Sequence, residues 1–354
     1  MKSLIRLLLL PRLDAVRLSA ALGLLLSGSC AREPAVGERI EGEAQGVGFV
    51  VRLAGRLPES ERADVANLVA AALDKVLPLA SATLPDSDAS RLNRAEAGVE
   101  TPVSIETLTI LQEGVRVSDL TFGAFDLTAA PLARLWGIGS GLLPSETPPL
   151  EEALDRERAR AGFRHLVLDD DSIAITKLVA SLEIDLSGLA VGHALDLAAA
   201  MLDERGYKDY LLEAQLKVRT RGKDPEGRPW LVPIVKPGPG SGEVQRSIPL
   251  SGFAMATVGD SRGTGDAEEL AGKLHPHLVD PRTGLPLDHG LVSVTVLGEK
   301  CLSAEAMATG LLVLGPEEAL RVAAAQDLAA LFLVRSEEGG VEERASPAFA
   351  ELFF

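Results

Sequence analysis

The sequence predicts an α+β fold with mixed and antiparallel sheets flanked by helices. Helix-like and strand-like stretches are interspersed without regular β-α-β alternation, which argues against a doubly wound parallel sheet. The β-like runs are short, and a tight turn such as Asp224-Pro225-Glu226-Gly227 joins two of them. Apolar residues make up 46% of the 354, enough to build a sizeable core.

The first 30 residues are read apart from the fold. Lys2, Arg6, Arg12 and Arg17 precede or flank the apolar run Leu18 to Leu26, which small residues and Cys30 follow. That order is n-region, h-region and cleavage site of an export signal, and the run is too short to span a bilayer. Leu26-Ser27-Gly28-Ser29 before Cys30 resembles a bacterial lipobox, with Leu one place farther from the Cys than usual. The expectation is a signal over 1–30, a lipid anchor on Cys30, and a mature protein outside the cytoplasm, in the periplasm or cell envelope. Cys30 and Cys301 are the only cysteines, so no disulfide framework exists, and Cys301 reads as a buried small apolar residue. Formal charge is −16 overall and +3 in the first 30 residues, hence −19 in the rest. A body so acidic excludes binding along a nucleic-acid backbone.

Residues 31–43, polar and containing Pro34 and Gly37, read as a flexible tether, which leaves 44–354 as the folded domain. Val47 to Leu53 alternates as a strand. Apolar positions at Val65, Leu68, Val69, Ala72, Leu73 and Val76 give Pro58 to Ala80 helical periodicity. Residues 83–95 read as a loop rich in Pro, Asp and Ser, with a short helical piece near Arg91-Leu92-Asn93. Ser104 to Leu120 is an amphipathic helix. Gly123 and Gly139 bracket a short helix after Asp126, whose carboxylate suits a cap. Gly141 to Pro149 reads as a linker and Glu151 to Ala161 as a helix. Leu166–Leu168 and Ile173–Ile175 read as a hairpin.

A strand is expected to end at Asp185-Leu186, turn at Ser187-Gly188, and pass into the apolar helix Leu189 to Leu202. Strand, Gly turn and helix start can receive phosphates on backbone N–H groups. Residues 210–212, 217–221, 230–235 and 253–258 are short strands. His277 stands three residues before the turn Asp280-Pro281-Arg282-Thr283-Gly284, and Leu291 to Leu297 is a Val- and Thr-rich strand. Ser303-Ala304-Glu305 then opens a helix in which Glu305 and Thr309 are at i, i+4. That spacing sets a carboxylate and a hydroxyl on one helix face, donors suited to Mg²⁺ although equally ordinary as capping and packing residues. Pro316 to Ala325 is a surface helix and Ala329 to Val334 a last strand.

Four segments stand in order: SDASRLN, GAFDLTAAPLARLWG, DLSGLAVGHALD, and HLVDPRTG followed by AEAMATG. Together, over about residues 44–335, they resemble the ApbE flavin transferase family, whose members are FAD:protein FMN transferases. The resemblance implies an ApbE-like two-lobed architecture with FAD between the lobes and Mg²⁺ at its pyrophosphate. It implies transfer of FMN to a Thr or Ser of a target flavoprotein, with AMP released. By position, Ala124, Phe125, Asp126 and Asp185 match FAD contacts, and Val191 and Thr257 fall beside the cofactor. Gly188, Glu305, Ala308 (through its carbonyl) and Thr309 match the metal site. His277 matches the residue near the reacting phosphates, as a proton-transfer or phosphate-orienting group.

The chain departs from the family pattern at several of these positions. Glu305 replaces the metal Asp. Val191 replaces a Lys or Glu. Gln215-Leu216 replaces a Gly-Gly pair, Val258 a Ser, and Thr83 a ring-stacking Tyr. A member that binds flavin or a partner without transfer, and an FAD pyrophosphatase in which water replaces the hydroxyl, are the alternative expectations.

Overall fold

An eight-stranded antiparallel sheet organises the computed structural model, which describes residues 37–138, 145, 147–236, 243–259, 278–336 and 340–354. The expected signal, Cys30, Asp260, His277 and most of the 141–149 linker lie outside these residues.

The chain opens with β1 (Glu38–Ala44) and β2 (Val47–Leu53), an antiparallel hairpin, then α1 (Glu59–Val76), which a short 3₁₀ turn extends to Ala80. Next come α2 (Asp88–Arg94), β3 (Glu100–Pro102), α3 (Ile105–Leu120), α4 (Ala130–Leu135) and α5 (Glu151–Arg160). β4 (Leu166–Asp169) and β5 (Ala174–Lys177) join β3 in a small sheet of order β3-β5-β4. α6 (Ser187–Glu204) leads to β6 (Tyr210–Ala214), β7 (Lys217–Arg221), β8 (Trp230–Val235), β9 (Val244–Leu250) and β10 (Ala254–Gly259). β11 (Val279–Asp280) and β12 (Leu285–Pro286) form a minimal hairpin before β13 (Leu291–Gly298). α7 (Cys301–Leu314), α8 (Pro316–Ala325), β14 (Ala329–Arg335), β15 (Val341–Ala345) and α9 (Pro347–Phe353) complete the chain.

The main sheet runs β1-β2-β6-β7-β10-β13-β14-β15. Strand alternation sends every second side chain to each face, and both faces are covered. In β14, Ala330 and Phe332 join the core shared with α1, α3, α6 and α7, while Leu331 and Leu333 join a second core with Trp230, Ile248 and Phe349. Such a strand reads as a continuous apolar run because neither face meets water.

Four sequence expectations change. The tether over 31–43 is shorter, because β1 begins at Glu38. Its residues are polar because they form a charged sheet edge, and only Ile40 turns fully into the core. Residues 88–94 of the expected loop are helical, since the Ser87 hydroxyl accepts the Ser90 N–H at 3.0 Å and so caps α2. No strand runs directly into α6: residues 182–186 join no ladder, and Leu186 already has near-helical dihedrals, φ −100° and ψ −7°. β9, β15 and α9 were not expected.

The β6–β7 hairpin turns on Gln215 and Leu216, with φ of 46° and 62°. This is the two-residue turn that favours Asn-Gly, and side chains in that conformation cost about 1–2 kcal/mol each. The double substitution Gln215→Asn/Leu216→Gly is therefore expected to raise stability by about 1 kcal/mol, read as a higher midpoint in thermal unfolding.

Candidate active site

The GAFD turn is built from the end of α3. The Thr121 hydroxyl donates to the Val117 carbonyl and accepts the Phe125 N–H, at 2.8 and 3.1 Å. Phe122 (φ 54°) and Gly123 (φ 82°) then reverse the chain, and the Phe122 ring is left 68% exposed. Gly310 of α7 packs against this turn. A Cβ there would lie 2.6 Å from Thr121 Cγ2 and 3.1 Å from Phe125 Cβ, so α7 approaches only because residue 310 lacks a side chain.

Asp126 organises the loop that follows. Its Oδ1 accepts the Thr128 N–H and hydroxyl at 2.8 and 2.7 Å, and its Oδ2 accepts the Phe163 N–H at 3.0 Å. Burial pushes its carboxyl above the ordinary aspartate value, while those three donors hold it back. Both oxygens are thus engaged by the protein. The expected cap is realised as a turn that ties residues 126–128 to 163, while Ala129 stands at the start of α4.

Two further segments dock on this turn. The Arg282 Cγ would lie 3.7 Å from a Cβ at Gly123. In the Asp280–Gly284 turn, Arg282 Nε and Nη2 reach the Asp280 carboxylate at 2.9 and 2.7 Å, and this bond holds the guanidinium charged against the opposing effect of burial. Trp136 Nε1 donates to the Gly284 carbonyl at 2.8 Å, and Arg158 Nη1 to the Thr283 carbonyl at 3.2 Å. From the other side, the Asp185 N–H donates to the Leu127 carbonyl at 2.8 Å. Asp185 Oδ1 accepts the Ser187 N–H and hydroxyl at 2.9 and 2.6 Å, a local turn that leads into α6 with Ser187 and Gly188 exposed.

Asn93 of the SDASRLN segment positions that helix start. Its Nδ2 donates to the Ile184 carbonyl at 3.0 Å and its Oδ1 accepts the Ile184 N–H at 2.7 Å. The buried Lys177 ammonium donates to the carbonyls of Asn93, Ala180 and Leu182, each at 3.0 Å. The segment 182–186 is held as a strand would be, but by side chains. This clamp was missed in the sequence, where Asn93 and Lys177 carry no local signal.

Helices α6 and α7 meet beside these loops. A Cβ at Gly192 would lie 2.8 Å from Glu305 Oε2 and 3.1 Å from the Cys301 carbonyl carbon. Asp196 of α6 caps α7: its carboxylate oxygens accept the N–H groups of Cys301 and Leu302 at 2.8 and 3.0 Å. The Cys301 thiol is fully buried, its Sγ 3.4 Å from the Val218 carbonyl, and burial pushes its pKa well up. Val191 is buried among the core residues of α6. The Thr257 and Thr295 hydroxyls share a hydrogen bond of 2.8 Å across β10 and β13, and the Thr257 N–H donates to the Leu216 carbonyl at 3.2 Å.

Burial raises the Asp196 carboxyl to about 6 from a usual 3.8, against the restraining N–H donors. A raised folded-state pKa means that the folded protein binds this proton more tightly than the unfolded chain. The Asp196 contribution is therefore present below about pH 4 and lost as pH rises through about 6. Relative to Asp196→Asn, the wild type is expected to lose roughly 2–3 kcal/mol between those limits. Chemical denaturation of both proteins at pH 4, 5, 6 and 7 checks this, and parallel curves would refute it.

The donors expected to hold Mg²⁺ do not present themselves as a metal site. Glu305 Oε1 receives the Lys217 ammonium at 2.7 Å, with the two side chains 7% and 13% exposed. Oε2 is buried against Gly192 and makes no hydrogen bond of ordinary geometry. Burial pushes the Glu305 carboxyl up, and Lys217 opposes that shift. Ala308 is fully buried, and the Thr309 hydroxyl donates to the Glu305 carbonyl at 3.0 Å. Among the described residues no three His, Cys, Asp or Glu side chains cluster to hold an ion. Lys217 and Glu305 together carry no net charge, whereas Mg²⁺ is usually drawn by one or two free carboxylates.

The structure thus brings Ala124, Phe125, Asp126, Asp185 and the Gly188 turn together with the Asp280–Gly284 hairpin. Glu305, Ala308 and Thr309 lie on the helix behind them. Solved structures share this mixed, antiparallel architecture. Flavin transferase ApbE from Vibrio cholerae matches with a TM-score of 0.78 and 32% identity, over 90% of this chain and 100% of that one. The apo flavinyl transferase ApbE of Pseudomonas stutzeri matches with a TM-score of 0.78 and 32% identity, over 90% and 97%. In sequence, the FAD:protein FMN transferase of Vibrio cholerae is 33% identical over 94% of this chain and 97% of its own, and that of Escherichia coli K12 is 33% identical over 88% and 87%. The fold and the grouped loops define a flavin-transferase type of protein. The ApbE family pattern matches residues 47–332, and the chain belongs to the ApbE family.

Proposed function

We propose that this chain transfers FMN from FAD to a Thr or Ser hydroxyl of a target flavoprotein and releases AMP. The observation that carries the reading is likeness over nearly the whole length to FAD:protein FMN transferases, with the GAFD turn, the α6 start and the DPRTG hairpin grouped together. The acceptor oxygen attacks the phosphorus on the FMN side. A new phosphoester bond forms as the pyrophosphate bond breaks, and the bridging oxygen leaves on AMP. The hydroxyl proton must pass to a base, the role given to His277.

In such a transfer the enzyme's work is mostly positioning and charge neutralisation. The exposed Ser187-Gly188 start of α6 presents the positive end of a helix to a phosphate. The Gly123 turn lets a flat ring approach the backbone, and the exposed Phe122 ring stands beside it. Mg²⁺ belongs to the family expectation, but Glu305 is already engaged by Lys217. We further infer an extracytoplasmic location, with a lipid on Cys30 as the membrane tether. The leader sequence supports this.

The test is to incubate the protein with FAD and a domain carrying an acceptor Thr, then follow nucleotides by chromatography and the acceptor by intact mass. An FMN adduct with equal AMP is expected. AMP and free FMN without adduct would assign a pyrophosphatase, and neither product would leave a binding protein.

A further inference from the structure

Lys217 lies on the first residue of β7, directly after the Gln215-Leu216 turn, and points inward to α7. Its ammonium meets Glu305 Oε1 at 2.7 Å and the Gln215 carbonyl at 3.3 Å. The pair is enclosed. Gly192 of α6 covers the second carboxylate oxygen so closely that any side chain there would intrude. The neighbouring carboxylate, Asp196, is committed to the first N–H groups of α7. Arg282, on the DPRTG hairpin, is committed to Asp280.

We propose that Lys217 is a built-in cation that closes Glu305 to divalent metal ions, so that this chain carries on its own side chain the positive charge its relatives' sequence pattern assigns to a bound ion. An ion ligated by Oε1 would have to sit about 2.0–2.1 Å from an oxygen that already holds an ammonium, and would meet that ammonium's charge at close range. Oε2 offers no alternative, because the α6 backbone lies over it. The longer Glu side chain fits this role. It carries the carboxylate farther from its own helix than Asp would, toward β7 and Lys217. The departure at Glu305 is thus matched by the lysine at 217, which serves as its partner. The proposal concerns the carboxylate alone and stands or falls separately from FMN transfer.

The test uses Mn²⁺ as the probe, with free Mn²⁺ read by electron paramagnetic resonance during titration of the full mature chain. The double variant Lys217→Met/Glu305→Gln, a neutral pair of similar size, sets the background from the acidic surface. Wild type is expected to bind no more Mn²⁺ than this background. Lys217→Met is expected to bind one more ion per chain than the background. If circular dichroism shows that Lys217→Met fails to fold, Lys217→Gln, which keeps a hydrogen-bond donor for Glu305, takes its place. One additional Mn²⁺ on the wild type, or no gain in the Lys217 variant, overturns the proposal.

Discussion

Glu305→Gln is expected to lower the unfolding free energy by about 3–5 kcal/mol, the largest single-residue effect outside the apolar core. The substitution leaves the Lys217 ammonium almost fully buried with neutral partners only, the new amide oxygen and the Gln215 carbonyl at 3.3 Å. The loss measures an uncompensated buried charge, not the net worth of the pair. Removing two charges from water costs nearly as much as their attraction returns. The double variant Lys217→Met/Glu305→Gln should therefore recover most of the loss, a coupling that urea denaturation of the four proteins reads directly. A loss below about 1 kcal/mol for Glu305→Gln would rank the pair with exposed ion pairs and contradict its enclosure.

The second large effect is expected at Asn93. Its side chain makes both hydrogen bonds of the Ile184 backbone, and Ile184 is buried. Asn93→Ala would strand one donor and one acceptor where water does not reach, at about 1–3 kcal/mol for each group left unpaired, so a loss of roughly 2–4 kcal/mol is expected. The consequence extends to the site, because Ile184 precedes Asp185, which accepts the Ser187 N–H at the start of α6 and donates its own N–H to the Leu127 carbonyl. Asn93→Ala is therefore expected to speed amide exchange at Ile184, Asp185 and Ser187 more than elsewhere, and to weaken FAD binding. Uniform acceleration across the chain would reduce Asn93 to a general stabiliser.

Much of this arrangement was legible in the sequence because it rests on local chemistry. The 3.6-residue periodicity of α1 and α3, the Asp280–Gly284 turn and the alternation of β2 are short-range signals. The long-range partners were not legible. Glu305 and Thr309 do share a helix face, but the ammonium that engages Glu305 arrives from a strand distant in sequence, and no spacing rule reports it. Asn93 and Lys177 look like ordinary surface residues until the fold brings segment 182–186 between them. β9 and β15 were missed because Arg246, Pro249 and three consecutive charged residues, Glu342 to Arg344, dilute their alternation. Such residues are tolerated at sheet margins, where one strand edge or face meets water. Asp126 was read as a cap or a ligand contact. The structure gives its oxygens to Thr128 and Phe163, a reach across sequence that local reading did not anticipate.

The central claim is that the GAFD turn, the start of α6 and the DPRTG hairpin form a single nucleotide site. Hydrogen–deuterium exchange with and without FAD tests it most directly. The account predicts FAD-dependent protection of residues 121–126, 185–190 and 280–286 together, with the β8–β9 hairpin unchanged. Protection confined to β8–β9 and α9, or absent from all three segments while FAD binds, would contradict it.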